Sequence, residues 1–101
     1  PDVTALVCNG DMVALGACLA LQSKGLKPGK DVSVIGFDNV MDAKLVTPSL
    51  TTMAVNPYKM GHILAETILK RINETERPQT TYLNNPELII RNSVGPTEVG
   101  K

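Results

Sequence analysis

Two short apolar runs with a helical pattern between them constrain this chain more than any other feature. The runs VTALVC (3–8) and VSVIGF (32–37) are β-branched and bounded by turn formers, the pattern of buried strands. From about Met12 to Lys24 the residues read as a helix, with Gly25 suited to the position after a helix end and Pro28 blocking continuation. Strand, helix and strand within residues 3–37 make a βαβ unit, so the strands are expected to run parallel with a right-handed crossover. The second run is apolar on both faces apart from Ser33, as a central parallel strand is. The fold class is therefore α/β, built on a parallel sheet.

Downstream, VMDAKLV (40–46) predicts a short helical turn before Pro48, and LTTMAV (50–55) an extended segment. Pro57 opens an amphipathic helix over 57–73. Its stripe is Met60, Ile63, Leu64, Ile68 and Ile72, with Thr67 and Arg71 as weak members. Extended pieces are expected at TTYL (80–83) and ELIIR (87–91), and a loose tail over 95–101.

The chain has 101 residues, room for one small domain. Zero formal net charge gives no electrostatic pull toward nucleic acid or anionic lipid. Phe37, Tyr58 and Tyr82 are the only aromatics, so the core must be aliphatic. Cys8 and Cys18 sit in apolar runs and read as small buried hydrophobes in a reducing, cytoplasmic setting. One histidine, His62, and no CxxC give a metal site little support, and no cofactor motif is present. His62 reads as a surface residue, and the NET triplet (73–75) as a weak glycosylation match. No apolar run is long enough for a membrane span, and the opening PDVT has no basic leader; lacking an initiator Met, the chain reads as a piece of a longer protein.

Parallel strands send their carboxyl ends to one sheet edge, where open α/β sheets bind ligands. Asn9 and Asp11 follow the first strand, Asp38 and Asn39 the second, so all four can converge on one crevice. Carboxylates and amides there suit neutral hydroxyls. Asp11 can equally be a helix cap, and Asp38-Asn39 only a turn. The first helix is apolar or glycine at every position from Met12 to Leu21. A helix with one side on a sheet and no polar face elsewhere is expected to meet a partner chain or another domain, or to lie at the centre of a larger protein. An enzyme of Rossmann or flavodoxin type is disfavoured, because neither a dinucleotide fingerprint nor an acid–base constellation is present.

The blocks GDMVALGACLALQSKGLKPGKDVSVIGFDNV, TPSLTTM and ELIIRNS, in that order, resemble the C-terminal part of LacI/GalR-family bacterial transcriptional regulators over about residues 3–94. The LTT and R-x-S blocks favour regulators over periplasmic sugar-binding receptors for transport, which share the fold and remain the alternative. The resemblance implies a periplasmic-binding-protein-like type I fold. Residues 1–50 and 84–94 would belong to the C-terminal lobe, and 51–83 would be crossover segments and a helix of the other lobe. It implies a small effector, often a sugar, that allosterically controls DNA binding by a separate N-terminal domain.

By the same resemblance, Asp38 falls on the family's effector-contacting aspartate. Asp11 matches the Asp of an Asn-Asp pair, while Gly10 stands where the Asn is usual and Asn9 one residue earlier. A homodimer interface would run through the first helix and the following segment, at Leu15, Leu19, Gln22, Val40, Leu45 and Val46. No helix-turn-helix lies within these residues, so DNA is expected to meet only the N-terminal domain.

Overall fold

A computed structural model describes residues 2–74 and 81–97. It divides into two compact units, 1–54 with 87–101, and 55–86. The divisions fall at Ala54/Val55 and Pro86/Glu87, each a few residues C-terminal of the lobe boundaries expected at 50/51 and 83/84.

The first unit contains β1 (Ala5–Val7), α1 (Asp11–Ser23), β2 (Ser33–Ile35), a 3-10 turn (Met41–Lys44), β3 (Thr52–Ala54) and β4 (Glu87–Ile89). β1 and β2 pair parallel, with Ala5 opposite Ser33 and Val7 opposite Ile35. β3 and β4 pair antiparallel, Thr52 opposite Ile89. Parallel bridges at Ile35–Thr51 and Asp38–Ala54 join the two ribbons. The βαβ reading holds, with α1 packed on β2.

Ala14, Cys18, Val34, Ala43 and Leu50 form the buried core, and Leu6, Leu15, Leu21 and Val40 pack against it. It is aliphatic, as the scarcity of aromatics requires. The expectation of a buried first strand is corrected. Side chains alternate across a strand, so Leu6 turns to the core while Val7 is 84% exposed. The face bearing Ala5 and Val7 has no helix packed on it among the described residues of this unit, and an apolar strand is left half-covered.

The end of α1 follows its sequence. Lys24 is the last cap residue, Gly25 takes φ +77°, and the Leu26 and Gly25 N–H groups donate to Leu21 O and Gln22 O. This pair of reversed bonds needs a left-handed residue at Gly25. The start differs from expectation. Gly10 is the N-cap and makes no side-chain cap bond, and Asp11 is the first helical residue. Its carboxylate does not cap the helix, because it is turned inward to other donors.

The C-terminal segment is tied by hydroxyls. Ser93 Oγ donates to Val34 O and accepts the Thr51 N–H, and all three residues are buried. Gly95 N–H donates to Ser33 Oγ at 3.0 Å, and Ser33 Oγ donates back to Gly95 O at 3.3 Å. The stretch expected to be loose is therefore anchored at its first residue, while 98–101 lie outside the described residues.

In the second unit, α2 spans Pro57–Asn73. Asn56 Oδ1 accepts the Lys59 N–H at 3.0 Å, and Pro57 opens the first turn where its missing N–H costs nothing. His62 Nε2 lies 2.8 Å from Glu66 Oε1 on the exposed surface, in keeping with a surface role. No residue of α2 is buried. Residues 81–83 form no strand, against expectation; Thr80 of that segment and Thr75 of the NET triplet lie outside the described residues.

Candidate functional site

The parallel register brings the loops after β1 and β2 to one edge. Cys8 N–H donates to Ile35 O at 2.9 Å and Asp11 N–H to Phe37 O at 3.0 Å, which lays residues 9–11 along the start of the Asp38 turn. A Cβ placed on Gly10 would sit 3.8 Å from Asp38 Oδ2 and touch nothing else. Gly10 is extended (φ −163°), so neither backbone nor packing demands glycine there. Its absent side chain leaves space beside the Asp38 carboxylate.

Asp38, Asn39 and Asn9 are exposed. The Asp38 carboxylate and the Asn9 amide make no hydrogen bond to another described residue. Asp38 and Asn39 both have positive φ, 124° and 60°. Such a conformation is strained for a residue with a Cβ and persists where neighbours over-determine it. The Asp38 N–H donates to Met53 O at 3.0 Å. The Asn39 N–H reaches Thr52 Oγ1 at 3.3 Å, and Asn39 Oδ1 accepts from Arg91 Nη2 at 2.9 Å. Arg91 Nη1 also donates to Leu50 O at 2.9 Å, and its N–H to Thr51 Oγ1 at 2.8 Å. A cavity of about 330 Å³ opens here between Asn39, Met41, Lys44 and Arg91.

Asp11 belongs to the same edge but not to its surface. It is 1% exposed. Oδ1 accepts the Thr52 hydroxyl at 2.6 Å and Oδ2 the Val40 N–H at 2.8 Å. A Cβ on Gly36 would overlap Asp11 Oδ1, so the bare backbone of Gly36 is what lets that oxygen reach Thr52. The four predicted residues thus separate: Asp38, Asn39 and Asn9 face outward, and Asp11 is internal.

Sequence reasoning missed Thr51, Thr52, Arg91 and Ser93. Polar residues stand in otherwise apolar extended runs at LTTM and LIIRNS, and a strand period of two places Arg91 and Ser93 on one side; that was the available signal.

The outer side of α1 forms a groove of about 280 Å³ lined by Met12, Leu15, Leu19, Gln22, Val46 and Pro48. Leu19 is 68% and Leu45 67% exposed. Gln22 Nε2 donates to Thr47 O at 3.1 Å, fixing one rim. Val40 and Leu15 both pack in part against the core. Cys18 closes the groove floor, and burial, with Cys8 nearby, raises its thiol pKa above the ordinary value. Both cysteines are free. Among the described residues there is no group of side chains fit to hold a metal ion, and no helix long and apolar enough to cross a membrane.

A parallel βαβ unit that brings two loops to one sheet edge places a ligand site where open α/β folds carry theirs. The family profile for the periplasmic binding protein-like domain matches residues 1–94, and the chain belongs to that family. Its relatives are regulators of transcription rather than enzymes. The HTH-type transcriptional regulator MalR of Streptomyces coelicolor is 40% identical over 102 residues, covering 99% of this chain and 30% of that protein. Among solved structures, the lac repressor dimer bound to operator and the anti-inducer ONPF matches 92% of this chain and 32% of its own, with TM-score 0.83 and 28% identity. A LacI family regulator from Enterococcus faecalis V583 with bound ribose matches 97% of this chain and 37% of its own, with TM-score 0.87 and 31% identity. The chain spans about 30% of the length of the curated relatives it matches.

Proposed function

We propose that this chain is the effector-sensing and dimerisation part of a cytoplasmic LacI/GalR-type transcriptional regulator. A small effector of the sugar class binds at the carboxyl ends of β1 and β2. It biases the arrangement of the sensor, and the bias is read by a DNA-binding domain elsewhere in the full protein. Asp38 accepts hydrogen bonds from effector hydroxyls, with Asn9 and Asn39 as the neighbouring amides. The outer side of α1 and the segment after β2, at Leu15, Leu19, Gln22, Val40, Leu45 and Val46, meet the same face of a second subunit.

The observation that supports the effector reading is Asp38 itself. Its exposed carboxylate has no hydrogen-bond partner among the described residues and is held at positive φ at the end of a parallel strand. The turn presents this carboxylate to the outside, at the sheet edge where open α/β sheets bind ligands. The ribose bound by one structural relative supports hydroxyl-rich effectors as the class.

The test is a thermal-shift screen of ribose, lactose, cellobiose and purine bases on the full-length protein, followed by calorimetry on Asp38→Ala. Loss of a hydrogen bond to a charged group weakens binding by about 1.5–3 kcal/mol, with little change in folding. Unchanged affinity removes Asp38 from the site. The transport-receptor alternative is separated by the parent gene, where a helix-turn-helix segment supports the regulator and a secretion signal the receptor.

A further inference from the structure

Asp11 is a buried acid that neither caps its helix nor faces the crevice, and its partners define what it does. Its two oxygens take the Thr52 hydroxyl and the Val40 N–H. Thr52 Oγ1, while donating to Asp11, accepts the Asn39 N–H. The Asp38 N–H is held by Met53 O on the same strand. Three consecutive amides, 38 to 40, are thus fixed by β3 and by the first residue of α1. These are the amides that flank the two positive-φ residues. A strained turn of this kind relaxes toward ordinary φ when its restraints are cut, and a change of φ at Asp38 swings its carboxylate.

We propose that Asp11 and Thr52 are positioning residues that hold the Asp38 carboxylate in its outward presentation, and that neither touches the effector. This rests on the effector reading of Asp38. Asp11 supplies two acceptor sites to donors it cannot reach from solvent, and the glycine at position 36 leaves it room to do so. Thr52 relays one of those restraints to Asn39 through a single oxygen. Of the acids at this edge, only Asp38 is then available to a ligand.

The test uses the full-length protein carrying Thr52→Val, Thr52→Ser and Asp38→Ala, singly and with Thr52→Val and Asp38→Ala combined. Val keeps the shape of Thr and removes the hydroxyl; Ser keeps the hydroxyl. In the absence of sugar, amide hydrogen exchange at Asn39 and Val40 is expected to rise tenfold or more in Thr52→Val. Exchange at Val34, in the core of β2, should stay unchanged, and Thr52→Ser should restore the slow rates. Faster exchange at all three amides together means that Thr52 only stabilises the fold, and it overturns the proposal. So does no change at Asn39 and Val40.

Calorimetry with ribose, lactose and cellobiose adds a second arm. For any of these that binds, Thr52→Val should weaken affinity at least threefold when Asp38 is present, and not at all in the Asp38→Ala background. Equal weakening in both backgrounds overturns positioning through Asp38. If Asp38→Ala alone leaves affinity intact, the effector reading fails. If Asp38→Ala weakens binding and Thr52→Val does not, only the positioning role fails. The exchange arm decides when none of the three sugars binds.

Discussion

Ser93 Oγ accepts the Thr51 N–H at 2.8 Å and donates its own proton to Val34 O, stitching the C-terminal segment to two strands at once. Ser93 and Val34 are 0% exposed and Thr51 is 2% exposed, so no water can replace the hydroxyl. Ser93→Ala leaves a buried donor and a buried acceptor without partners. An unsatisfied buried group costs about 1–3 kcal/mol, so a loss in that range is expected in denaturant unfolding, with Ser93→Thr losing less if the extra methyl fits. A Ser93→Ala midpoint equal to wild type would show the bridge contributes nothing.

The parts of the fold legible in the sequence were those carried by local pattern. The βαβ unit, the left-handed Gly25, the Pro57 start of α2 and the turn at 41–44 each follow from residues within a few positions of one another. Asp11 shows where this stops. An acid at a strand–helix junction has two local uses, as cap or as ligand contact, and its observed partners lie 29 and 41 residues away at Val40 and Thr52. Ser93 is similar: its role depends on Val34 and Thr51, which the sequence does not place beside it. The half-covered β1 departs from its sequence pattern for a related reason. Apolar residues such as Val7 report that a face is meant to be covered, without saying that the cover lies in the same compact unit.

The α1 groove yields a prediction about assembly. Leu15 lines it and also packs against the core edge. If the proposed dimer forms through this groove, Leu15→Lys in the full-length protein puts an ammonium into a water-excluding contact, where a lone charge is strongly unfavourable. Sedimentation is expected to show a monomer for the variant and a dimer for wild type. A Leu15→Lys dimer with the same dissociation constant would remove this face from the interface.

Cys18 predicts a pH effect of definite sign. Burial disfavours its thiolate and raises its pKa, with Cys8 adding to the shift. The folded chain therefore keeps this proton at pH values where the unfolded chain has lost it. Stability contributed by the protonated thiol is full below the unfolded pKa and falls as pH rises toward the raised folded value. Wild type should lose stability through the mildly alkaline range more steeply than Cys18→Ala, which has no proton to lose. Parallel pH profiles for the two proteins would contradict the buried thiol. Alkylation of Cys18 by iodoacetamide should likewise be slow until the chain unfolds, because the thiolate is the reactive form.

The α2 stripe sets an expectation for the isolated chain. Leu64, Ile68 and Ile72 are 63%, 55% and 65% exposed, and Met60 and Ile63 on the same stripe are only half-buried. Covering a large aliphatic side chain is worth about 1.5–3 kcal/mol. Three such groups more than half open and two half-buried forgo several kcal/mol together, a large share of the about 5–15 kcal/mol that holds a small domain. The stripe has the spacing of a face made to be covered, and a second copy of the chain offers the same face in return. Light scattering on the 101-residue chain should therefore show self-association at micromolar concentration. Leu64→Lys with Ile68→Lys should reduce it, since paired copies would then set like charges against each other. A clean monomer of the wild-type chain, with α2 helical and its stripe open to solvent, would show that this face tolerates exposure.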